Sequence, residues 1–155
     1  MRRAERAVEA VKGDILGKRV LEVACGCAEF SLCAAGLAER VDCIDLDRGR
    51  LDERIGDCPN ATFRKMDATA LEYGDGEFDT VVLYNAVAHL EAVLEKALEE
   101  GRRVAGQDGC LYVISSVKMD KAVIEEKLLP LLQREGTAFA LERDRVFTYL
   151  RVGNA

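Results

Sequence analysis

A chain of 155 residues, 49% hydrophobic and 32% charged, is long enough for one domain with a real core and too apolar for a disordered tail. Lys and Arg number 22 against 28 Asp and Glu, a net charge of -6, which repels a phosphate polyanion and disfavours a nucleic-acid partner. No apolar run approaches the roughly 18 residues of a membrane span. The basic Met1-Arg2-Arg3 start leads into an amphipathic stretch, not a secretory signal, so the expected location is the cytoplasm.

Ala4, Ala7, Val8 and Val11 predict a first helix within residues 1–16, ahead of a sheet core over 17–155, together one domain. Arg19 to Ala24 predicts strand 1, which ends in a loop of small residues. Phe30, Cys33, Ala34, Leu37 and Ala38 then follow helical spacing. Val41 to Leu46 predicts strand 2, with Asp47 placed to cap a helix carrying Leu51 and Ile55. Strand 3 is expected over Ala61 to Met66 and strand 4 over Phe78 to Tyr84, after a turn at Gly74-Asp75-Gly76-Glu77. Leu90, Val93, Leu94, Ala97, Leu98 and Val104 share one helical face. On that helix, Glu95, Glu99 and Glu100 read as the solvated side, and the Arg102-Arg103 pair as a water-facing complement to the helix dipole. Gly106-Gln107-Asp108-Gly109 turns the chain into strand 5, Cys110 to Ile114. A helix from about Lys118 should end or bend near Pro130. Thr137 to Leu141 and Val146 to Val152 predict a closing hairpin.

Strand and helix alternate, which predicts an α/β fold: a doubly wound, mostly parallel seven-stranded sheet with a C-terminal antiparallel hairpin and helices on both faces. Ligands of such sheets bind beyond the carboxyl ends of the strands, where the strand order reverses. Three consecutive strand ends carry small or acidic residues. Strand 1 runs into Ala24-Cys25-Gly26-Cys27-Ala28-Glu29, strand 2 closes on Asp45, 19 residues after Gly26, and strand 3 delivers Asp67. Small side chains let backbone approach a ligand, and an acid at the second strand end suits ribose hydroxyls. A tight turn, a helix cap and a solvated loop acid are the alternatives for each taken singly. Together they favour a nucleoside site.

A dinucleotide loop needs G-x-G-x-x-G, but those positions hold Ala24, Gly26 and Glu29, and Glu29 would set a carboxylate beside phosphate. Glu22, two residues before Ala24, offers an acid to a ligand's ammonium group. With acids and no Lys or Arg in the loop itself, the site suits a ligand with positive charge and no phosphate. The six cysteines (Cys25, Cys27, Cys33, Cys43, Cys58, Cys110) offer only a C-x-C step, beside a single histidine. They are read as reduced thiols and small core hydrophobes rather than as a metal site.

These residues resemble the class I S-adenosylmethionine-dependent methyltransferases. Val20-Leu21-Glu22-Val23-Ala24-Cys25-Gly26-Cys27-Ala28 is similar to the family's first motif, an acid followed by G-x-G-x-G. Ile44-Asp45-Leu46 resembles its ribose-binding acid, and Asp67-Ala68-Thr69-Ala70-Leu71 the step whose Asp meets the adenine amino group. Phe78 to Val82 is similar to its fourth strand and Val104 to Ile114 to the approach to its fifth. The likeness runs from about residue 18 to the C-terminus, including the hairpin that inserts an antiparallel strand.

The resemblance implies S-adenosylmethionine as cofactor, held by Glu22, Ala24, Cys25, Gly26, Asp45, Leu46, Asp67, Ala68 and Tyr84. It also implies that Leu83 to Leu90, after strand 4, faces the transferable methyl, in the manner of the small-molecule branch. The Asn/Asp-Pro-Pro-aromatic sequence of the amino-methylating nucleic-acid branch is absent from that stretch. His89 is there either a catalytic base or a histidine bonded to backbone at a helix start. Asn85 either orients the acceptor or finishes a turn. Two departures stand out. The family's first and third loop glycines are Ala24 and Ala28, which would be strained at positive φ. The chain is also short, with only the first helix and the segment from Lys118 to Glu135 expected to serve as a lid. The expected activity is methyl transfer to a small molecule. Kept beside it are a non-catalytic cofactor-binding subunit needing a partner protein, a homodimer, and a nicotinamide dehydrogenase, the last disfavoured by the loop.

Overall fold

The computed structural model describes residues 2–153; Met1, Asn154 and Ala155 lie outside it. Seven strands form one sheet: β1 (Arg19–Val23), β2 (Arg40–Asp45), β3 (Ala61–Lys65), β4 (Thr80–Tyr84), β5 (Cys110–Ser115), β6 (Phe139–Arg143) and β7 (Thr148–Gly153), in the order β3-β2-β1-β4-β5-β7-β6. The first five are parallel to one another. β7 enters antiparallel between β5 and β6. The order runs outward in both directions from the β1–β4 boundary, which is therefore the switch point where such sheets open a crevice.

Strand alternation divides the core in two. Leu21, Val23, Val81, Leu83, Leu111 and Val113 enter one cluster, and Val20, Val82, Tyr84, Tyr112 and Ile114 the other. The second is covered by α1 (Arg2–Ala10) and by Phe30 and Ala34 of the short α2 (Glu29–Ala34). The first is covered by α3 (Leu94–Ala105) and by a long helical run, α4 (Lys118–Val123) and α5 (Leu129–Glu135), joined by a π-helical turn at Ile124–Leu128. Both faces of the sheet are thus clothed. Among the described residues no helix is long and apolar enough to cross a membrane.

Three expectations from the sequence need correcting. After β2 there is no α-helix capped by Asp47. The Asp47 carboxylate accepts the Gly49 N–H at 2.8 Å in a local turn, and a 3₁₀ segment, Glu53–Asp57, starts at Asp52 instead. Of the end or bend expected near Pro130, the end does not occur: Pro130, lacking an N–H for the usual bond four residues back, follows a widened turn, beyond which α5 continues to Glu135. Finally, Glu100 and Arg103 are not a solvated pair. Glu100 is buried and accepts the Leu71 N–H, while Arg103 bonds Glu100, Asp75 and the carbonyls of Leu71 and Tyr73. They fasten α3 to the segment after β3.

Candidate active site

The carboxyl ends of β1, β2, β3 and β4 surround a cavity of about 600 Å³, within the range of small-molecule sites. A second hollow of about 480 Å³ lies at the opposite, amino end of β5 and is lined mostly by turn glycines and the ends of α3. It brings together no converging acids.

From β1 the chain enters the loop at Ala24, Cys25 and Gly26, which line the cavity together with Cys27 and Glu29. Ala24, Gly26 and Ala28 all sit in left-handed backbone, with φ of 55°, 57° and 67°. The glycine is relaxed there, and the two alanines are strained. The loop is pinned from both sides. Asp45, the last residue of β2, accepts the Gly26 N–H at 2.8 Å, and Cys25 N–H donates to the Ile44 carbonyl at 2.9 Å. Asp45 is half-buried, and its other oxygen accepts the Asp47 N–H.

Leu46, 64% exposed, stands at the mouth. Asp67 and Ala68 follow β3 on the same wall. The Asp67 carboxylate accepts the backbone N–H and hydroxyl of Thr69, both at 2.8 Å, and these bonds hold its pKa below the usual value. Tyr84, the end of β4, contributes to the wall and packs its ring on Phe30 and Phe147; burial pushes its hydroxyl up to about 12.

Beyond β4 the two catalytic candidates part company. Asn85 has φ of 50° and its amide oxygen accepts the Ser116 N–H at 2.7 Å, so this side chain ties the exit of β4 to the exit of β5. That bond belongs to a turn-forming residue whose NH2 alone remains free to face the cavity. His89 lies in a 3₁₀ segment, Val87–Val93, with an exposed side chain on the cavity wall. Buried Asp120 of α4 steadies that segment, accepting Ala88 N–H at 2.9 Å and the Ser115 hydroxyl at 2.7 Å.

Glu22 is not on the wall, contrary to the expectation of a ligand-facing acid. Strand alternation turns it to the α2 side, where it is 1% exposed beneath the loop. Its Oε1 accepts the Ser31 N–H at 3.1 Å and hydroxyl at 2.7 Å, and desolvation raises its pKa to about 8. Arg50 is the reverse case. The loop carries no cation of its own, but the turn at Asp47–Gly49 brings Arg50 back over it, and a Cβ on Gly26 would sit 3.5 Å from Arg50 Cζ. The D-x-G spacing of that turn was the available signal. Ile44, Met66, Leu90 and Val93 complete an aliphatic lining.

A family model described as a methyltransferase domain matches residues 20–109. The chain is 34% identical over 112 residues to a demethylmenaquinone methyltransferase of Renibacterium salmoninarum, an alignment covering 72% of this chain and 47% of that protein. It therefore spans about half the length of this curated relative. Among solved structures, a SAM-dependent methyltransferase from Aquifex aeolicus superposes with a TM-score of 0.79 at 17% identity, covering 96% of this chain and 88% of the other. The DhpI–SAM–HEP complex superposes with a TM-score of 0.76 at 19% identity, covering 96% and 84%.

Proposed function

Because the chain belongs to the methyltransferase-domain family, we propose that it transfers a methyl group from S-adenosylmethionine to a small-molecule acceptor. The observation that carries this reading is the convergence on one cavity of the β1 loop, Asp45, Asp67 and the segment Tyr84 to His89. The cavity's chemistry fits that cofactor. Asp45 is an acceptor for sugar hydroxyls, Asp67 and Ala68 with Leu46 suit a purine edge and face, and Ala24, Cys25 and Gly26 present backbone at close range. The wall carries three acids, Glu29, Asp45 and Asp67, against one cation, Arg50, a balance that favours a ligand of positive charge. Tyr84 closes the inner end.

When bound, the cofactor supplies an electrophilic methyl on a sulfonium with a neutral leaving group. The protein's part is then orientation and exclusion of water, which the aliphatic wall of Ile44, Met66, Leu90 and Val93 supports. His89 is the residue we assign to take a proton from an acceptor that arrives protonated, through an imidazole nitrogen open to the cavity. Asn85 holds the turn that positions His89, and its amide NH2 is the one group left to orient the acceptor.

A small acceptor is favoured by the net charge of -6, which disfavours nucleic acid, and by the named acceptor of the Renibacterium relative. The test is transfer of labelled methyl from S-adenosylmethionine by the purified chain to an acceptor panel that includes demethylmenaquinone, beside protein and nucleic-acid fractions. Label in an extractable small molecule is expected. Label confined to the macromolecular fractions, or no transfer at all, would refute the assignment.

A further inference from the structure

Among the described residues, Glu22 Oε2 is the one buried side-chain oxygen or nitrogen without a hydrogen-bond partner. The carboxyl is 1% exposed, and both hydrogen bonds it receives, from the Ser31 N–H and hydroxyl, go to Oε1. A negative charge with one oxygen orphaned in the interior is among the most expensive arrangements a fold can hold, whereas a neutral acid there forgoes a single hydrogen bond.

Apart from the two Ser31 donors, which favour the carboxylate, no group bonded to Glu22 offsets a charge. Its register neighbours on the same face of the sheet are Cys43 of β2 and Val82 of β4. Glu29 of α2 and Asp45 of β2 both act on it as like charges. The Cys25 thiol and Tyr84 hydroxyl, from the loop and β4, feel Glu22 as a negative neighbour. Two cations lie on the periphery, Arg3 of α1 toward Tyr84 and Arg50 over Gly26, and neither bonds Glu22. Burial is the main reason ionised Glu22 is disfavoured, and Glu29 and Asp45, which line the cavity with Arg50, add a smaller repulsion that a cation bound there would offset.

We propose that Glu22 is a specificity-determining acid that acts from beneath the loop: it is neutral in the free protein and ionises when a cationic ligand enters the cavity, so that cofactor binding releases a proton. The O–H bond at the Glu22 carboxyl breaks, the proton passes to a buffer base, and the new carboxylate balances the arriving positive charge. The inference rests on the cofactor reading above but goes beyond it. It adds a proton to the binding equilibrium and assigns that proton to a residue that touches no ligand. Affinity for S-adenosylmethionine then rises with pH up to about 8, where free Glu22 itself ionises, by at most about tenfold per pH unit for a single proton.

The experiment is calorimetric titration of the whole chain with S-adenosylmethionine at neutral pH, in buffers of differing ionisation enthalpy. Wild type should release a fraction of a proton per cofactor, and release should vanish well above pH 8. Glu22→Gln, which resembles the neutral acid, should bind with no release and with pH-independent affinity. Binding without release in wild type, or undiminished release in Glu22→Gln, overturns the proposal while leaving the cofactor reading intact. Absence of any binding to wild type overturns the cofactor reading itself. If Glu22→Gln does not fold, infrared spectroscopy of free wild type decides. A protonated carboxyl band at neutral pH, where ordinary Asp and Glu are ionised, supports a neutral Glu22, and its absence overturns the proposal.

Discussion

Replacing Ala24 by glycine should change stability little, with a slight gain expected, although the same change elsewhere in the chain is costly. Ala24 has φ of 55°, where an L side chain is strained by roughly 1–2 kcal/mol. Glycine removes that strain but adds roughly 0.5–1 kcal/mol of unfolded-state entropy. The methyl is only half-buried, so its loss costs less than the ~0.8 kcal/mol of a fully buried carbon. With about half of that for the methyl, the sum runs from a loss of about 0.4 to a gain of about 1 kcal/mol, centred slightly on the stabilising side. Ala34 in α2 is the control, fully buried and not in left-handed backbone. Glycine there loses helix propensity of ~1 kcal/mol together with the full methyl, about 2 kcal/mol of destabilisation. Ala28, with φ of 67° but no exposure, should fall between them. Urea denaturation of the three variants measures this ranking. If Ala24→Gly loses as much as Ala34→Gly, the loop is not strained, and the left-handed geometry of the site is wrong.

Other outcomes follow from the same geometry. Gly109→Ala should destabilise by ~2 kcal/mol or more in thermal unfolding, because the added Cβ would lie 2.1 Å from the Ala105 carbonyl oxygen. Asp120→Ala strands the Ala88 N–H and leaves the Ser115 hydroxyl only the distant Val117 carbonyl as acceptor, a loss of ~1–3 kcal/mol in denaturant titration; a loss below about 0.5 kcal/mol would mean that Asp120 does not steady the His89 segment. Glu22, raised from an ordinary 4.5 to about 8, binds its proton more tightly in the native state. Its contribution to stability is therefore complete below about pH 4.5 and fades as pH rises to about 8. Wild type minus Glu22→Gln, followed by denaturant midpoint against pH, should show that decline; a difference that grows with pH would contradict it.

Most strands were legible because their apolar runs are short, β-branched and bounded by turns, and a mostly parallel sheet followed from their alternation with helices, whereas the order of its strands was not read from the sequence. Asp45 and Asp67 were legible for a related reason: each stands at or just past the carboxyl end of a strand. What escaped depended on contacts distant in sequence. Glu100 and Arg103 carry the helical spacing of a wet face, yet the segment after β3 folds over them and buries one carboxylate. Arg50 is exposed, and only a local turn sets it over Gly26. Glu22 was expected to face a ligand because it adjoins the loop, but the two-residue period of β1 turns it to the other side. The predicted helix after β2 lost to local turn chemistry at Asp47 and Asp52, whose carboxylates bond backbone N–H groups two residues on.

Asp45, at the end of β2, is the residue we assign to the sugar of S-adenosylmethionine. Calorimetric titration of purified wild type and Asp45→Asn with this cofactor tests that role, since asparagine keeps an oxygen for the Gly26 N–H but gives up the charge and the exposed bond from the Asp47 N–H. The prediction is one site in wild type and at least about tenfold weaker binding in Asp45→Asn, roughly the 1.5 kcal/mol of a hydrogen bond to a charged group, with thermal stability little changed. Equal affinity in the two proteins, or no binding to wild type, would contradict it.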